Sequence, residues 1–168
     1  EEISRPTLHP KIELYENLAF LVLRFPQFDK KQKHNLIASE VDFIFTKDRL
    51  ILVQYQDFEA LDVLITQLDS EEEQKNQYFQ QNAGYLLYKI IDHLFRSLYS
   101  ELDHITRKVD DVEEKIFDGK EEVMLQLISY YRREAIDFRR IIKPNLDVFK
   151  ELESIFISLL GKDIAFYI

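Results

Sequence analysis

Between Ala83 and Lys143 apolar residues recur at steps of three and four, and no other feature narrows the possible folds of this chain so far. Leu87, Ile91, Leu94, Leu98, Leu102, Ile105, Val109, Val112 and Ile116 are spaced 4, 3, 4, 4, 3, 4, 3, 4. That is the stripe of a coiled-coil helix with one extra step after Leu98. Asp118-Gly119-Lys120 is a helix-stop signal. The stripe resumes at Met124, Ile128, Tyr131, Ala135, Phe138 and Ile142. The spacing predicts two long antiparallel helices, 83–117 and 121–143, turning at Asp118-Gly119; the first would be on the order of 50 Å long. Pro144 should kink or end the second helix. Leu146, Phe149, Leu152, Ile155 or Phe156, and Leu159 carry an apolar stripe on to Gly161. Only 3 Gly and 4 Pro occur in 168 residues, which agrees with few, long elements.

The first part of the chain has another period. Lys11 to Glu16 alternates charged and apolar residues, and Leu18 to Phe28 is nearly all apolar, as in a strand covered on both faces. Pro26 marks an edge or an exit. Glu40–Thr46 and Leu50–Tyr55 read as a hairpin around Lys47-Asp48-Arg49. Asp57, as a candidate N-cap, precedes a short amphipathic helix through Leu61, Leu64, Ile65 and Leu68. Asp69 to Gln77 reads as a polar connector or a helix start. The expected fold is α+β: a partial, mostly antiparallel sheet over 11–56 with a short helix, followed by a long helical hairpin. Residues 1–70 are assigned to the α/β part, and 71–168 to the hairpin and the start of a further helix.

Composition removes several function classes. A net charge of −9 argues against nucleic acid as a partner. With no Cys there is no disulfide framework, zinc–thiolate site or thiol nucleophile. No run approaches the roughly 18 apolar residues of a membrane span. Residue 1 is Glu and the single Met is Met124, so the chain reads as a processed product or a fragment.

Candidate chemistry is sparse. Glu101-Leu102-Asp103-His104 fits one half of a di-iron carboxylate site, but the other His residues lack a Glu three positions earlier. With Leu102 and Ile105 on the stripe, Glu101 and His104 read as a solvated helix face. Asp92-His93 is an adjacent pair on one helix, so the two do not face each other. Arg132, Arg133, Arg139, Arg140 and Lys143 form a basic stretch interleaved with Tyr130, Tyr131 and Phe138. Nucleic-acid stacking is one reading, and cross-helix pairing is the plainer one. Asp110, Asp111, Glu113, Glu114, Asp118, Glu121 and Glu122 crowd the hairpin tip, where divalent cations could gather loosely. No phosphate loop or nucleophile elbow appears, and the residues read as a non-enzyme.

Five stretches in order resemble the cytosolic domain of CorA-type magnesium transporters. His9 to Asn17 (HPKIELYEN) is similar to that family's Arg-Pro-Lys-Val-Glu motif with its trailing aromatics, Glu and Asn. Glu40 to Gln56 resembles its Glu-x-Val hairpin. Tyr85 to Asp92 (YLLYKIID) resembles the start of its long helix, Val109 to Glu114 its acidic tip, and Arg133 to Pro144 its arginine-rich return helix. The resemblance implies a homopentamer carrying Mg²⁺, and also Co²⁺ and Ni²⁺, held in the cell membrane by segments beyond Ile168, with this part on the cytoplasmic side. It implies that regulatory Mg²⁺ between neighbouring subunits holds the pore closed. Glu1 and Glu2 match the family's metal-ligand positions. Arg96-Ser97 stands where some members carry a third carboxylate. The zinc-transporting branch of the same superfamily and a coiled-coil adaptor are the alternatives.

Overall fold

The computed structural model describes residues 5–7, 9–29, 36–115 and 121–160. Four strands, β1 (Lys11–Leu14), β2 (Ala19–Phe28), β3 (Leu36–Phe45) and β4 (Leu50–Gln54), form one antiparallel sheet in the order β1-β2-β3-β4. Five helices follow: α1 (Glu59–Ser70), α2 (Glu72–Tyr78), α3 (Ala83–Lys115), α4 (Glu121–Ile142) and α5 (Asn145–Leu160). The fold is α+β, as the two periods predict. The Asp118-Gly119 turn lies outside the described residues.

Residues of β2 alternate between two buried faces. Ala19, Leu21, Leu23 and Phe25 join Val41, Phe43 and Phe45 of β3 and Ile12 of β1 in a core with Leu87, Ile91 and Leu94 of α3 and Val148, Leu152 and Phe156 of α5. Aromatic contacts fix this layer. Phe95 sits edge-on to both Phe25 and Phe149, with ring centroids 5.3 Å apart in each pair, and Phe156 lies 5.3 Å from Phe45. Helix α3 begins where its period begins. The Asn82 Oδ1 accepts the Tyr85 N–H at 3.0 Å and satisfies one of the orphan donors of the first turn.

Three details depart from the sequence expectation. Phe58, not Asp57, is the N-cap of α1, and no side chain caps it. Phe58 stacks on Phe25 at 5.5 Å, so core burial outweighs the cap that Asp57 offers. Strand β3 starts at Leu36, ahead of the expected Glu40, because its partner β2 runs to Phe28 and Phe28 pairs with Leu36.

The third departure concerns the hairpin seam. Leu102 is 40% exposed, whereas Leu98, Ile105 and Val112 are buried. The stripe passes instead through half-buried Glu101 and Lys108, at steps 98, 101, 105, 108 and 112. It is a regular heptad with no extra step, and two of its positions are charged. On α4 the buried residue is Glu134 rather than Ala135, which is exposed. Lys108 Nζ lies 3.9 Å from Glu134 Oε2. It also sits over the rings of Phe28 and Tyr131, at 5.2 and 5.5 Å from their centroids. The seam carries an ion pair with aromatic walls, a device that favours one register of two antiparallel helices over slipped ones.

Helix α4 ends at Ile142, and Pro144 provides the break. Asn145, fully buried, opens α5. Its Oδ1 accepts the Arg24 N–H at 3.1 Å and its Nδ2 donates to the Arg24 carbonyl at 2.7 Å. Strand β1 pairs with β2 only over Ala19–Val22, so the β2 edge is open at Arg24, and the Asn145 amide completes it there. Pro26, two residues on, turns the same way and has no N–H to leave unpaired on that open edge.

Candidate functional site

The sheet face opposite the helices carries carboxylates that are withdrawn from water. Alternation along β3 puts Glu40 and Asp42 on that face, on either side of the core residue Val41. Glu40 is 4% exposed and Asp42 0%. Glu40 Oε1 accepts the Thr7 N–H at 2.6 Å, and the single Thr7 hydroxyl proton is shared between Glu40 Oε2 at 3.3 Å and the nearer His9 carbonyl oxygen at 3.1 Å. Asp42 Oδ2 accepts the Tyr55 hydroxyl at 2.7 Å, and Oδ1 is buried with no hydrogen-bond partner among the described residues. Burial pushes the Glu40 carboxyl above the usual range, Thr7 opposes this, and Asp42 adds to it. Burial also raises Asp42, against the Tyr55 hydrogen bond and the Lys11 charge. The Tyr55 phenol is raised by its own burial and by Asp42.

These directions set a pH dependence. A carboxyl whose folded pKa lies above its unfolded one holds more protons in the native state. Its contribution to stability is fully present below the unfolded pKa and is lost as pH rises through the folded one. Glu40 and Asp42 should therefore make the chain more heat-resistant just above the ordinary carboxylate range than at neutral pH. Replacing Asp42 with Asn keeps an acceptor for Tyr55 and removes the titration. Thermal melts at stepped pH should show a smaller gain on acidification in Asp42→Asn than in the parent, and an equal gain would contradict the assignment.

A cavity of about 370 Å³ lies between the end of β2, the start of α1 and the middle of α3, lined by Phe28, Glu59, His93, Ser97 and Glu101 among others. Burial raises the Glu101 carboxyl, and Glu59 raises it further. The His93 ring nitrogen Nε2 is 3.2 Å from the Ala60 carbonyl oxygen, so His93 ties α3 to α1.

The residues singled out in the sequence are placed as follows. Glu1 and Glu2 lie outside the described residues; the described anchor nearest to them is Thr7 on Glu40. Arg96 is exposed and donates to Asp92 at 2.8 Å, one helical turn back. The Ser97 hydroxyl donates to the Leu94 carbonyl at 2.7 Å. The Arg96 charge is thus already paired within its own helix. Glu101 is not on a solvated face but lines the cavity, whereas His104 is exposed with its ring edge-on to Phe28 at 5.5 Å. No group of three or more His, Cys, Asp or Glu able to hold a metal ion occurs among the described residues. In the basic stretch, Arg140 pairs with Asp137 at 3.1 Å. Asp110 and Asp111 are exposed, and the remaining tip side chains lie outside the described residues. Sequence reasoning missed Glu40, Asp42 and Asn145. For the first two the signal was present, since Glu-Val-Asp at period two inside an apolar run sets both carboxylates on one sheet face.

Comparison with known proteins gives this arrangement a setting. The cobalt/magnesium transport protein CorA of Thermotoga maritima is 27% identical over 152 residues, which cover 90% of this chain and 42% of that protein. The chain therefore spans less than half of that relative. The soluble domain of CorA from Methanocaldococcus jannaschii superposes with a TM-score of 0.77 at 18% identity, covering 94% of this chain and 61% of that one. The ZntB cytoplasmic domain from Vibrio parahaemolyticus gives 0.68 at 14% identity, covering 99% and 70%. At such identities the structural likeness shows the fold alone. No described helix is long and apolar enough to cross a membrane. The model of the CorA-like Mg²⁺ transporter proteins matches residues 1–164, almost the whole chain, and the chain belongs to that family.

Proposed function

We propose that this chain is the regulatory portion of a CorA-type divalent-cation transporter, lying on the cytoplasmic side, and that it responds to internal Mg²⁺ by closing the pore. The observation that carries the reading is the extent of the family match, which starts at residue 1 and so includes Glu1 and Glu2. Two adjacent glutamates are hard oxygen donors, the type that Mg²⁺ takes one or two at a time while keeping several of its waters. In the complete homo-oligomer, a pentamer in this reading, Glu1 and Glu2 of one subunit would face a neighbouring subunit across the ion. Occupancy would then screen like charges and hold the subunits together, and loss of the ion would let them separate.

The test is made in the complete transporter. With Glu1 and Glu2 both replaced by Gln, the Mg²⁺ concentration that half-protects the protein from proteolysis should rise by about tenfold or more, a coupling of ordinary size between two sites. Uptake should then continue at internal Mg²⁺ levels that silence the parent. An unmoved midpoint together with normal shut-off would remove these residues from the sensor. A second reading, transport of Zn²⁺, draws on the fold shared with the ZntB domain. Competition between Zn²⁺ and Mg²⁺ in the same uptake assay separates the two. Family membership supports the transporter reading over an adaptor with no transport role.

A further inference from the structure

The cavity between the end of β2, the start of α1 and the middle of α3 has walls that are tied together. Gln27 Nε2 donates to the Asp57 carbonyl oxygen at 2.9 Å and fixes β2 to the entry of α1. His93 fixes α3 to α1, and Phe58 is held by its stacking on Phe25. Walls fixed in this way lower the ordering cost of binding. The volume, about 370 Å³, lies in the range of small-molecule sites. The lining also selects a chemistry. Most of its side-chain donors are spent on main-chain carbonyls. The Ser97 hydroxyl donates to the Leu94 carbonyl at 2.7 Å, and the Ser100 hydroxyl to the Ser97 carbonyl at 2.8 Å. His93 Nε2 faces a carbonyl oxygen, which can only accept, so that nitrogen carries a proton. What the wall presents is mainly acceptors: the two hydroxyl oxygens and the carboxylates of Glu59 and Glu101. No Lys or Arg is among the described lining residues. Glu101 is half-buried and makes no hydrogen bond or ion pair with any described residue. Burial, then Glu59, holds its carboxyl above the usual range; Lys108 opposes them from the seam, where Glu134 already engages it.

We propose that this cavity binds a primary alkylammonium ion, with its charged head on Glu101, Glu59 at the rim, and its hydrocarbon stem against Phe28, Phe58 and Leu98. An ammonium group has three donors and no acceptor, which complements the polar wall. It brings a cation to a carboxylate that no described residue pairs, and a charge-assisted hydrogen bond is about twice as strong as a neutral one. The stem covers apolar surface that a hydrated metal ion cannot use. No group of three or more His, Cys, Asp or Glu able to hold a metal ion occurs among the described residues. Glu59, exposed as the first residue of α1, adds a negative field at the rim that draws cations in. The site uses neither Glu1 nor Glu2, so it stands apart from the proposed function.

The experiment is isothermal titration calorimetry of the chain with n-butylammonium chloride at fixed ionic strength. Saturable binding of one equivalent is expected. 1-Butanol keeps the stem without the charge, and ammonium chloride keeps the charge without the stem; each should bind at least about tenfold more weakly. Glu101→Gln should weaken butylammonium binding by about tenfold. Glu59→Gln, at the exposed rim, should weaken it by about threefold. Asp110→Asn removes the same charge from an exposed site on α3 outside the cavity and should leave the affinity unchanged. An equal loss in Asp110→Asn would show general attraction to a chain of net charge −9 and would overturn the site. Butanol binding as tightly as butylammonium would show an apolar pocket without charge selection and would overturn it too. Mg²⁺ binding with the same loss in Glu101→Gln would make this a metal site instead. The absence of saturable butylammonium binding would dismiss the proposal outright. Should Glu101→Gln not fold, Glu59→Gln carries the test, and an unchanged affinity there would count against the site.

Discussion

Leu98→Asp should abolish cooperative folding of the chain. Leu98 is 5% exposed and belongs to the core that joins α3 to the sheet. Truncating a buried Leu costs about 3–5 kcal/mol through lost transfer energy and residual cavity. The new carboxylate adds several kcal/mol of desolvation, because Leu98 is set in the apolar core. The sum reaches the total stability of a typical domain, on the order of 5–15 kcal/mol. Circular dichroism should show loss of most helical signal and no cooperative melt. Leu102→Asp, one turn on at an exposed site, should change the midpoint little. A normal melt for Leu98→Asp, or an equal loss in both variants, would refute the seam as drawn.

The second large effect is expected at the charged pair inside the seam. Glu134 is 4% exposed. Its Oε1 accepts the Tyr130 hydroxyl at 2.6 Å, while among the described residues only Lys108, at 3.9 Å, balances the charge on Oε2. Lys108→Ala leaves that carboxylate buried without its cation and removes a long side chain from between Phe28 and Tyr131, at a cost of about 3–5 kcal/mol. Lys108→Met combined with Glu134→Leu should recover most of this, since a well-packed apolar pair often matches a buried ion pair in stability. Denaturant midpoints of the two singles and the double decide the matter. The exposed Lys150–Asp147 contact is the control, and its loss should leave the midpoint nearly unchanged. Equal effects at the two pairs would show that the seam charge is solvated.

The same two sites show which features the sequence made legible. Element types followed from local pattern: alternation and continuous apolar runs before Gln56, steps of three and four after Ala83, and a break at Pro144. The phase of the seam did not. Apolar Leu102 and Ala135 look like seam residues, and Glu101 and Glu134 look like surface. What reverses them is non-local, namely Phe28 at the end of β2 and Tyr131 on α4, whose rings receive the Lys108 ammonium. Asn145 was opaque for a related reason. Its role depends on where β1 stops pairing with β2, and the sequence of α5 holds no record of that. The buried Glu40 could have been placed on its face from the strand period, but its partner Thr7, 33 positions away, could not. Glu1 and Glu2 came from family resemblance and not from any pattern internal to this chain.

The central claim is that the assembly containing this chain reads internal Mg²⁺ and closes in response. Its most direct test is uptake into vesicles bearing the complete transporter, measured as the Mg²⁺ trapped inside is raised stepwise under a constant driving force. The account predicts that uptake falls to background as internal Mg²⁺ passes through the protection midpoint, and that the fall moves to higher Mg²⁺ when Glu1 and Glu2 are Gln. Uptake that does not depend on internal Mg²⁺ would contradict it.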